Sequence, residues 1–304
     1  MSISCPLCDA ASAPAPYLRH ERYAWVRCAA CRFVYQEPYI AEHKRIATDA
    51  GISQTYDAFV EGSLAPSVTR EKRDWVLSAS VAKTAYCIEI GPGRGELLSA
   101  LREARPAWSF LAIEPHPPFQ AQLKTQGFSV LESLSDFTAS AALAALATES
   151  GQVIVIADNV LEHLEYPVGV LTELRRVAER LMVPLVALVE VPNEKGLAWR
   201  QGLQDWLRGF PKPPTFPGHI NLFTHLTLRF AAKRAGFANI HVRGHGLRTR
   251  EQLEYLLRDK VRSHLAPLVV RGLSVVPMDA WFGLCYWLRG SFRFDPHERL
   301  SQAE

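Results

Sequence analysis

Four of the six cysteines occur as two pairs with the spacing of metal ligands. Cys5 and Cys8 form the first C-x2-C pair, and Cys28 and Cys31 form the second. Each such turn presents two thiolates to one side, so that two turns complete a tetrahedral site for Zn²⁺. Four thiolates leave the metal no open position, and we therefore expect a structural zinc ribbon over residues 1–45. The metal would supply folding energy that about 40 residues cannot obtain from a core of their own.

A glycine-rich turn follows a short apolar segment, in the sequence Glu89-Ile-Gly91-Pro-Gly93-Arg-Gly95. Glycine allows a tight turn and close approach of the backbone to a ligand at a helix N-terminus. The spacing differs from a dinucleotide fingerprint, and Glu89 would repel a phosphate. Glu114 ends the next apolar segment, where a carboxylate can bind both ribose hydroxyls. Together they favour an adenosyl cofactor; the alternative is a structural turn and a surface carboxylate.

Two histidines are candidates for proton transfer. His163 and His219 both follow predicted strands, at the sheet edge where doubly wound folds bind ligands. Imidazole titrates near neutral pH and can remove a proton from a hydroxyl or an acidic carbon. For each, the alternative is a hydrogen-bonded histidine that only supports the fold.

The elements that must position these residues alternate between strand and helix. We predict strands over 86–90, 109–113, 128–131, 152–156, 181–190 and 238–244, and helices over 66–81, 117–126, 138–148, 167–180 and 224–235. This alternation indicates an α/β fold with a doubly wound, mostly parallel sheet. The ribbon would be followed by a connector and helix (46–81), a core domain (82–246) and a helical C-terminal extension (247–304).

The composition is that of an ordinary globular protein. Of 304 residues, 48% are hydrophobic and 21% are charged, and the formal net charge of +3 does not favour nucleic acid as a partner. The sequence shows neither a signal peptide nor an uninterrupted apolar stretch of about 18 residues, so we expect a cytoplasmic chain without a membrane span. In that compartment the cysteines are metal ligands or buried thiols rather than disulfides.

Arginines and lysine between residues 243 and 262 alternate with acidic residues, as on a solvated helix face. The functional alternative for this group is a clamp for a phosphate or nucleotide handle on a substrate. The aromatic segment 281–294 is either core or a surface for a homodimer.

Four segments resemble class I S-adenosylmethionine-dependent methyltransferases with a Rossmann-like fold. The segments are Glu89–Gly95, Asp158–Leu164 with Pro167, Val189–Asn193, and His219–Thr224 running into Leu228 and Ala235–Phe237. The cysteine pairs extend the resemblance to the subgroup with an N-terminal four-cysteine zinc ribbon, which includes sugar C-methyltransferases. Those chains carry a second α/β domain after the core, and this chain ends about 60 residues beyond it.

The resemblance implies a set of residues for S-adenosylmethionine. Gly91, Gly93 and Gly95 would pass beneath the methionine part, Glu89 would lie near its ammonium group and Glu114 would hold the ribose. Ser133, at a position where aspartate is commoner, would lie beside the adenine, and Asp158 and Asn159 would bound the pocket.

We therefore expect methyl transfer to carbon or oxygen of a small-molecule acceptor, such as an anionic phosphorylated or nucleotide-linked sugar or a related metabolite. An RNA base methyltransferase is one alternative, since a ribbon on such a core also resembles a ribosomal RNA guanine methyltransferase. The other is a scaffold protein that binds the cofactor without catalysis.

Overall fold

The computed structural model describes residues 4–11, 13–20, 23–37, 66–139, 151–194, 219–245 and 287–296. Several predicted features lie outside these ranges: the connector over 46–65, most of the helix at 138–148, the basic group beyond Arg243 and most of the C-terminal extension. Among the described residues, no helix is long and apolar enough to cross a membrane.

The N-terminal segment forms a small antiparallel sheet. Its strands are β1 (Ala15–His20), β2 (Tyr23–Arg27) and β3 (Val34–Gln36). A short strand from much later in the chain, β9 (Asn221–Leu222), pairs with β3 and completes the sheet.

A larger sheet with flanking helices follows. Its first half contains α1 (Pro66–Ala79), β4 (Tyr86–Ile90), α2 (Glu96–Ala104), β5 (Ser109–Ile113), α3 (Pro117–Thr125), β6 (Ser129–Leu131) and α4 (Leu134–Ala139). Its second half contains β7 (Val153–Asp158), α5 (Pro167–Leu181), β8 (Leu185–Pro192), α6 (His225–Arg234), β10 (Asn239–His245) and β11 (Trp287–Phe294). The predicted elements from 66 to 131 and from 152 to 245 are present, with ends shifted by a few residues.

In the described part of the chain, seven strands form this sheet in the order β10-β11-β8-β7-β4-β5-β6. The strands β6, β5, β4, β7 and β8 are parallel, which confirms the predicted mostly parallel sheet. The chain runs outward from β4 in one direction and then returns to place β7 on its other side. A crevice for ligands opens at such a switch point, beyond the carboxyl ends of the two strands.

Burial explains why these segments adopt their structure. The core residues of β8 are buried on both faces, as expected for a central parallel strand covered by helices. In α5 the buried residues Leu171, Leu174, Val177 and Ala178 recur at helical spacing on one face.

The prediction of a wholly helical C-terminal extension is wrong for residues 287–294. They form β11, which lies antiparallel between β8 and β10. Leu288, Phe292 and Phe294 are buried while Arg293 is exposed, so part of the aromatic segment belongs to the core. The alternation has the period of a strand, and the gap between β8 and β10 supplies hydrogen-bond partners on both edges.

A row of charged residues crosses the sheet. In the strand register, Arg289 of β11 lies beside Glu190 of β8, which lies beside Asp158 of β7. Arg289 bonds to Glu190, and Lys72 of α1 pairs with Asp158 and, at 3.4 Å, with Glu190. Burial opposes ionisation, yet Lys72, Arg289 and His245 hold the pKa of Glu190 at about 2. These ion pairs hold α1 against the sheet where β7 and β8 end.

Replacing Lys72 tests how much these ion pairs stabilise the fold. Lys72→Met removes the ammonium group from two buried carboxylates, and we expect the free energy of unfolding to fall by about 3–5 kcal/mol. Arg73→Met is the control, because Arg73 pairs with the exposed Asp74 and should contribute no more than about 1 kcal/mol. Urea denaturation would measure both. Equal losses in the two variants would contradict the structural role of Lys72.

Candidate active site

The glycine turn lies at the switch point, directly after β4. Gly91, Gly93 and Gly95 have φ angles of 66°, 55° and 79°, a left-handed region that other residues adopt at a cost. A Cβ atom at Gly95 would lie 2.5 Å from the side chain of Leu123, so this glycine also permits helix packing. At Gly93, by contrast, a Cβ would meet no atom within 4 Å. The turn therefore exposes its backbone to open space.

Glu114 faces the same turn from the end of β5. Its carboxylate accepts hydrogen bonds from the amides of Gly93 at 3.1 Å and His116 at 2.9 Å. These bonds fix the carboxylate beside the turn, and each oxygen keeps a lone pair for a further donor. Burial raises the pKa of Glu114, although the two amide bonds oppose this.

Glu89 is the penultimate residue of β4 and is 3% exposed. One of its carboxylate oxygens, Oε2, reaches no hydrogen-bond partner among the described residues. Burial, followed by the charge of Asp158, raises the pKa of Glu89 to about 8. An unpaired buried carboxyl next to an open glycine turn is suited to a cationic ligand group.

Asp158 and Asn159 lie where β7 ends. Asn159 has a φ of 54°, a left-handed conformation that asparagine tolerates better than most residues. Its side-chain amide donates to the carboxylate of Asp158 at 2.9 Å, and its backbone amide donates to the backbone carbonyl of Glu190 at 2.9 Å. The carboxylate of Asp158 is thus bound by both Asn159 and Lys72 where β7 ends.

Ser133 caps a helix. Its hydroxyl donates to Asp136 at 2.8 Å and accepts from the Asp136 amide at 3.2 Å, at the start of α4. Ser133 is the residue that the sequence analysis expects beside the adenine. In the structure its hydroxyl lies next to the carboxylate of Asp136.

The two candidate histidines lie next to one another. The rings of His163 and His219 are 4.9 Å apart between centroids and inclined by 67°. Burial, followed by the charge of His163, lowers the pKa of His219 to about 3. Glu162 adjoins them, and one donor atom from each of the three residues lies within 4.8 Å of the others.

Two residues outside the predicted site hold these histidines in place. The Asn221 side chain donates to the carbonyls of Leu161 at 3.2 Å and Leu164 at 2.6 Å, which fixes the 3-10 turn that carries His163. The indole of Trp25, on β2, donates to the carbonyl of His219 at 3.0 Å. The N-terminal sheet thereby contacts the candidate active site.

The four cysteine sulfurs also come together. Cys5 and Cys31 are 3.7 Å apart between Sγ atoms, and Cys8 and Cys28 are 3.6 Å apart. Burial raises the pKa of the Cys28 thiol, but the amides of Cys31 and Ala30 point at its sulfur and leave the pKa lowered, at about 7. Arg234 of α6 joins this cluster to the core by an ion pair with Asp9 and a hydrogen bond to the Cys8 carbonyl.

The structure groups the predicted residues at two places. Those expected to contact the cofactor surround the switch point, except Ser133, which lies at the start of α4. Sequence reasoning missed Glu162, Lys72, Asn221 and Trp25. Glu162 could have been found from the sequence because it directly precedes the candidate His163.

Comparison with known proteins identifies the family of the chain. Residues 64–242 match a family model described as a methyltransferase domain. A search of curated proteins gives no match to this sequence.

Two plantazolicin methyltransferases of known structure share the fold at low sequence identity. The plantazolicin methyltransferase BamL, in complex with a triazolic desmethylPZN analog and SAH, superposes with a TM-score of 0.52 at 12% identity, over 84% of this chain and 94% of that chain. The plantazolicin methyltransferase BpumL in the corresponding complex has a TM-score of 0.50 at 9% identity, over 84% and 95%. A SAM-dependent methyltransferase from Archaeoglobus fulgidus has a TM-score of 0.48 at 15% identity, over 78% and 99%.

The raised pKa of Glu89 predicts how the free energy of unfolding depends on pH. Its folded pKa of about 8 lies above the unfolded value, so its contribution is complete below about pH 4.5 and is lost as the pH rises through 8. The free energy of unfolding should therefore decline from pH 5 to 8.5, and Glu89→Gln should remove several kcal/mol of that decline. Urea denaturation across this range would measure it. Exposed Glu103→Gln should keep the wild-type slope; an equal slope in Glu89→Gln would refute the assignment.

Proposed function

The chain belongs to the family of S-adenosylmethionine-dependent methyltransferases, and from this premise we propose that it methylates carbon or oxygen of a small, anionic acceptor molecule. The observation that carries the cofactor assignment is the open left-handed turn at Gly93 with two buried carboxylates beside it. The bound sulfonium supplies the activated methyl group, so the protein's task is to orient the acceptor and exclude water.

The residues at the switch point fit the cofactor. The open space over Gly93 would take the methionine part, with Gly91 and Gly95 shaping the turn. The unpaired oxygen of Glu89 offers a partner for the ammonium group. Glu114 would bind the ribose hydroxyls with its remaining lone pairs. Asp158 and Asn159 would bound the pocket, and Ser133, with Asp136 beside it, would face the adenine.

We propose that His163 and His219 act on the acceptor. A hydroxyl or an acidic carbon must lose a proton before or during attack on the methyl group. With a pKa of about 3, His219 is a weak proton acceptor at neutral pH. Under this proposal His163 takes the proton and His219, buried against it, fixes the ring of His163.

We also propose that the four cysteines hold a structural zinc ion. Zinc–sulfur bonds of about 2.3 Å in a tetrahedron place the sulfurs about 3.8 Å apart, close to the 3.6 and 3.7 Å separations here. The four thiols are free of disulfides. Such a site persists where thiols stay reduced, which is the basis for proposing a cytoplasmic location.

The cofactor assignment is tested by two matched glycine substitutions. Gly93→Ala and Gly127→Ala both place alanine at a left-handed φ with little steric conflict, so each should lower the free energy of unfolding by about 1 kcal/mol. Only Gly93 adjoins the proposed pocket. We expect the affinity for S-adenosylhomocysteine, measured by calorimetry, to fall at least tenfold in Gly93→Ala and to stay unchanged in Gly127→Ala. Equal affinities in both variants would reject this binding site.

The zinc assignment is tested by metal content. The purified chain should carry one tightly bound zinc by mass spectrometry, and Cys8→Ser should lose it and lower the melting temperature. Cys87→Ala alters a buried cysteine of β4 and should keep the metal. Wild-type protein that folds cooperatively without zinc, and is not stabilised by adding it, would contradict the proposal.

A further inference from the structure

The proposed proton transfer to His163 does not explain why the carboxyl of Glu162 is buried. Its side chain is buried, with 1% exposure, and neither carboxylate oxygen reaches a hydrogen-bond partner on another described residue. A buried carboxyl without a partner is unfavourable, and burial raises its pKa well above the usual value. Natural proteins keep such groups where a ligand completes their coordination.

The cationic side chains near Glu162 form ion pairs with other carboxylates. Lys72 bonds to Asp158 and Glu190, and Arg289 bonds to Glu190 and Glu71. Asp158 and Glu190 both add negative potential at Glu162, and Lys72 opposes it. Within the described part of the chain, this region therefore favours a further positive charge at Glu162.

The neighbours of Glu162 are suited to a metal cation rather than an organic one. His163 and His219 each offer a ring nitrogen within the 4.8 Å that encloses the three donors. A neutral imidazole keeps a lone pair on one ring nitrogen, which can coordinate a metal. Two imidazoles and one carboxylate form a recurrent ligand set for divalent transition metals.

The backbone around these donors is fixed from two sides. Asn221 holds the turn that carries Glu162 and His163, while Trp25 holds the carbonyl of His219. Bonds of about 2.1 Å to one ion require donors about 3.0–3.4 Å apart. The three donors already lie within 4.8 Å of one another, and side-chain rotations that shorten these separations would close the set on a metal.

We propose that Glu162, His163 and His219 form a second metal site, for a divalent transition metal ion with open coordination positions. This site is separate from the four cysteines, whose complete thiolate set serves structure alone. The site itself requires only the geometry described above; its use in catalysis rests on the proposed function.

In catalysis the metal would bind the acceptor through oxygen. A metal-bound hydroxyl releases its proton to water more readily, and the resulting oxyanion remains on the ion. Its electron pair forms the new oxygen–carbon bond while the carbon–sulfur bond of the cofactor breaks. That bonding pair stays on sulfur, giving the methyl ether and neutral S-adenosylhomocysteine. In this arrangement the two histidines would be metal ligands and the proton would go to water, so the metal would replace His163 in the base role proposed above for the chain without a metal at this site.

The test uses the full chain loaded with one zinc at the cysteines. Mn²⁺ is the probe, because it prefers oxygen and nitrogen donors and competes poorly for thiolates. Electron paramagnetic resonance would count free Mn²⁺ during a titration. We expect one Mn²⁺ bound per chain, and a loss of affinity of at least about 100-fold in Glu162→Gln and in His219→Ala, since even outer-sphere partners contribute 10–100-fold. Exposed His241→Ala is the control and should bind as wild type does.

Two further measurements distinguish failure of the metal site from failure of the cofactor assignment. Zinc content and S-adenosylhomocysteine affinity are measured on the same preparations, and both should be unchanged in Glu162→Gln. If the wild type binds S-adenosylhomocysteine but no Mn²⁺, or if Glu162→Gln binds Mn²⁺ as tightly as wild type, the metal site is rejected and the proposed function stands. If Mn²⁺ binds as expected but S-adenosylhomocysteine does not, the cofactor assignment is rejected and the metal site stands.

Discussion

The pairing of β3 with β9 is the constraint on which the rest of the site depends. Residues 219–224 hydrogen-bond to the N-terminal sheet through β9 and also bridge to the end of β8 at Asn193. Phe223 packs on Phe33 with ring centroids 5.1 Å apart, so this short segment is buried between the two sheets. His219 enters the candidate site only because the segment is clamped in this way. The N-terminal sheet therefore determines where a proposed catalytic residue lies.

Charge is distributed unevenly along the edge where the parallel strands end. Lys72 and Arg289 neutralise Asp158 and Glu190 and join α1, β7, β8 and β11 into one unit. In the part of the chain that the structure describes, Glu89 and Glu162 form no ion pair with either of these cations. Burying a carboxyl without a partner is costly, and the fold carries that cost at the two positions where the proposed cofactor and the proposed metal would bind. Asp158 and Glu190 thus form the ion pairs that stabilise the fold, while Glu89 and Glu162 of the same acidic cluster are left for the proposed ligands.

The sequence predicted where the glycine turn and the strand after it lie. A glycine turn between a strand and a helix has few conformational solutions, so Gly91, Gly93 and Gly95 could be placed without a structure, and Glu114 followed from the strand after it. The strand over 287–294 was missed because aromatic and apolar residues near a chain end are compatible with helix or strand. Only the gap between β8 and β10, formed by residues far away in sequence, selects the strand.

By itself the sequence determined the α/β alternation, the ligand turn and the two cysteine pairs, because each depends on residues within one or two elements of each other. Only the tertiary structure decided which charges are compensated, since Lys72 meets Glu190 and Arg289 meets Glu71 across long separations in the chain. It also placed Glu162 next to His163 and His219 with no hydrogen bond from any other described residue, and it brought Trp25 to the site. Burial and hydrogen bonding are properties of the packed molecule, and no local pattern of residues encodes them.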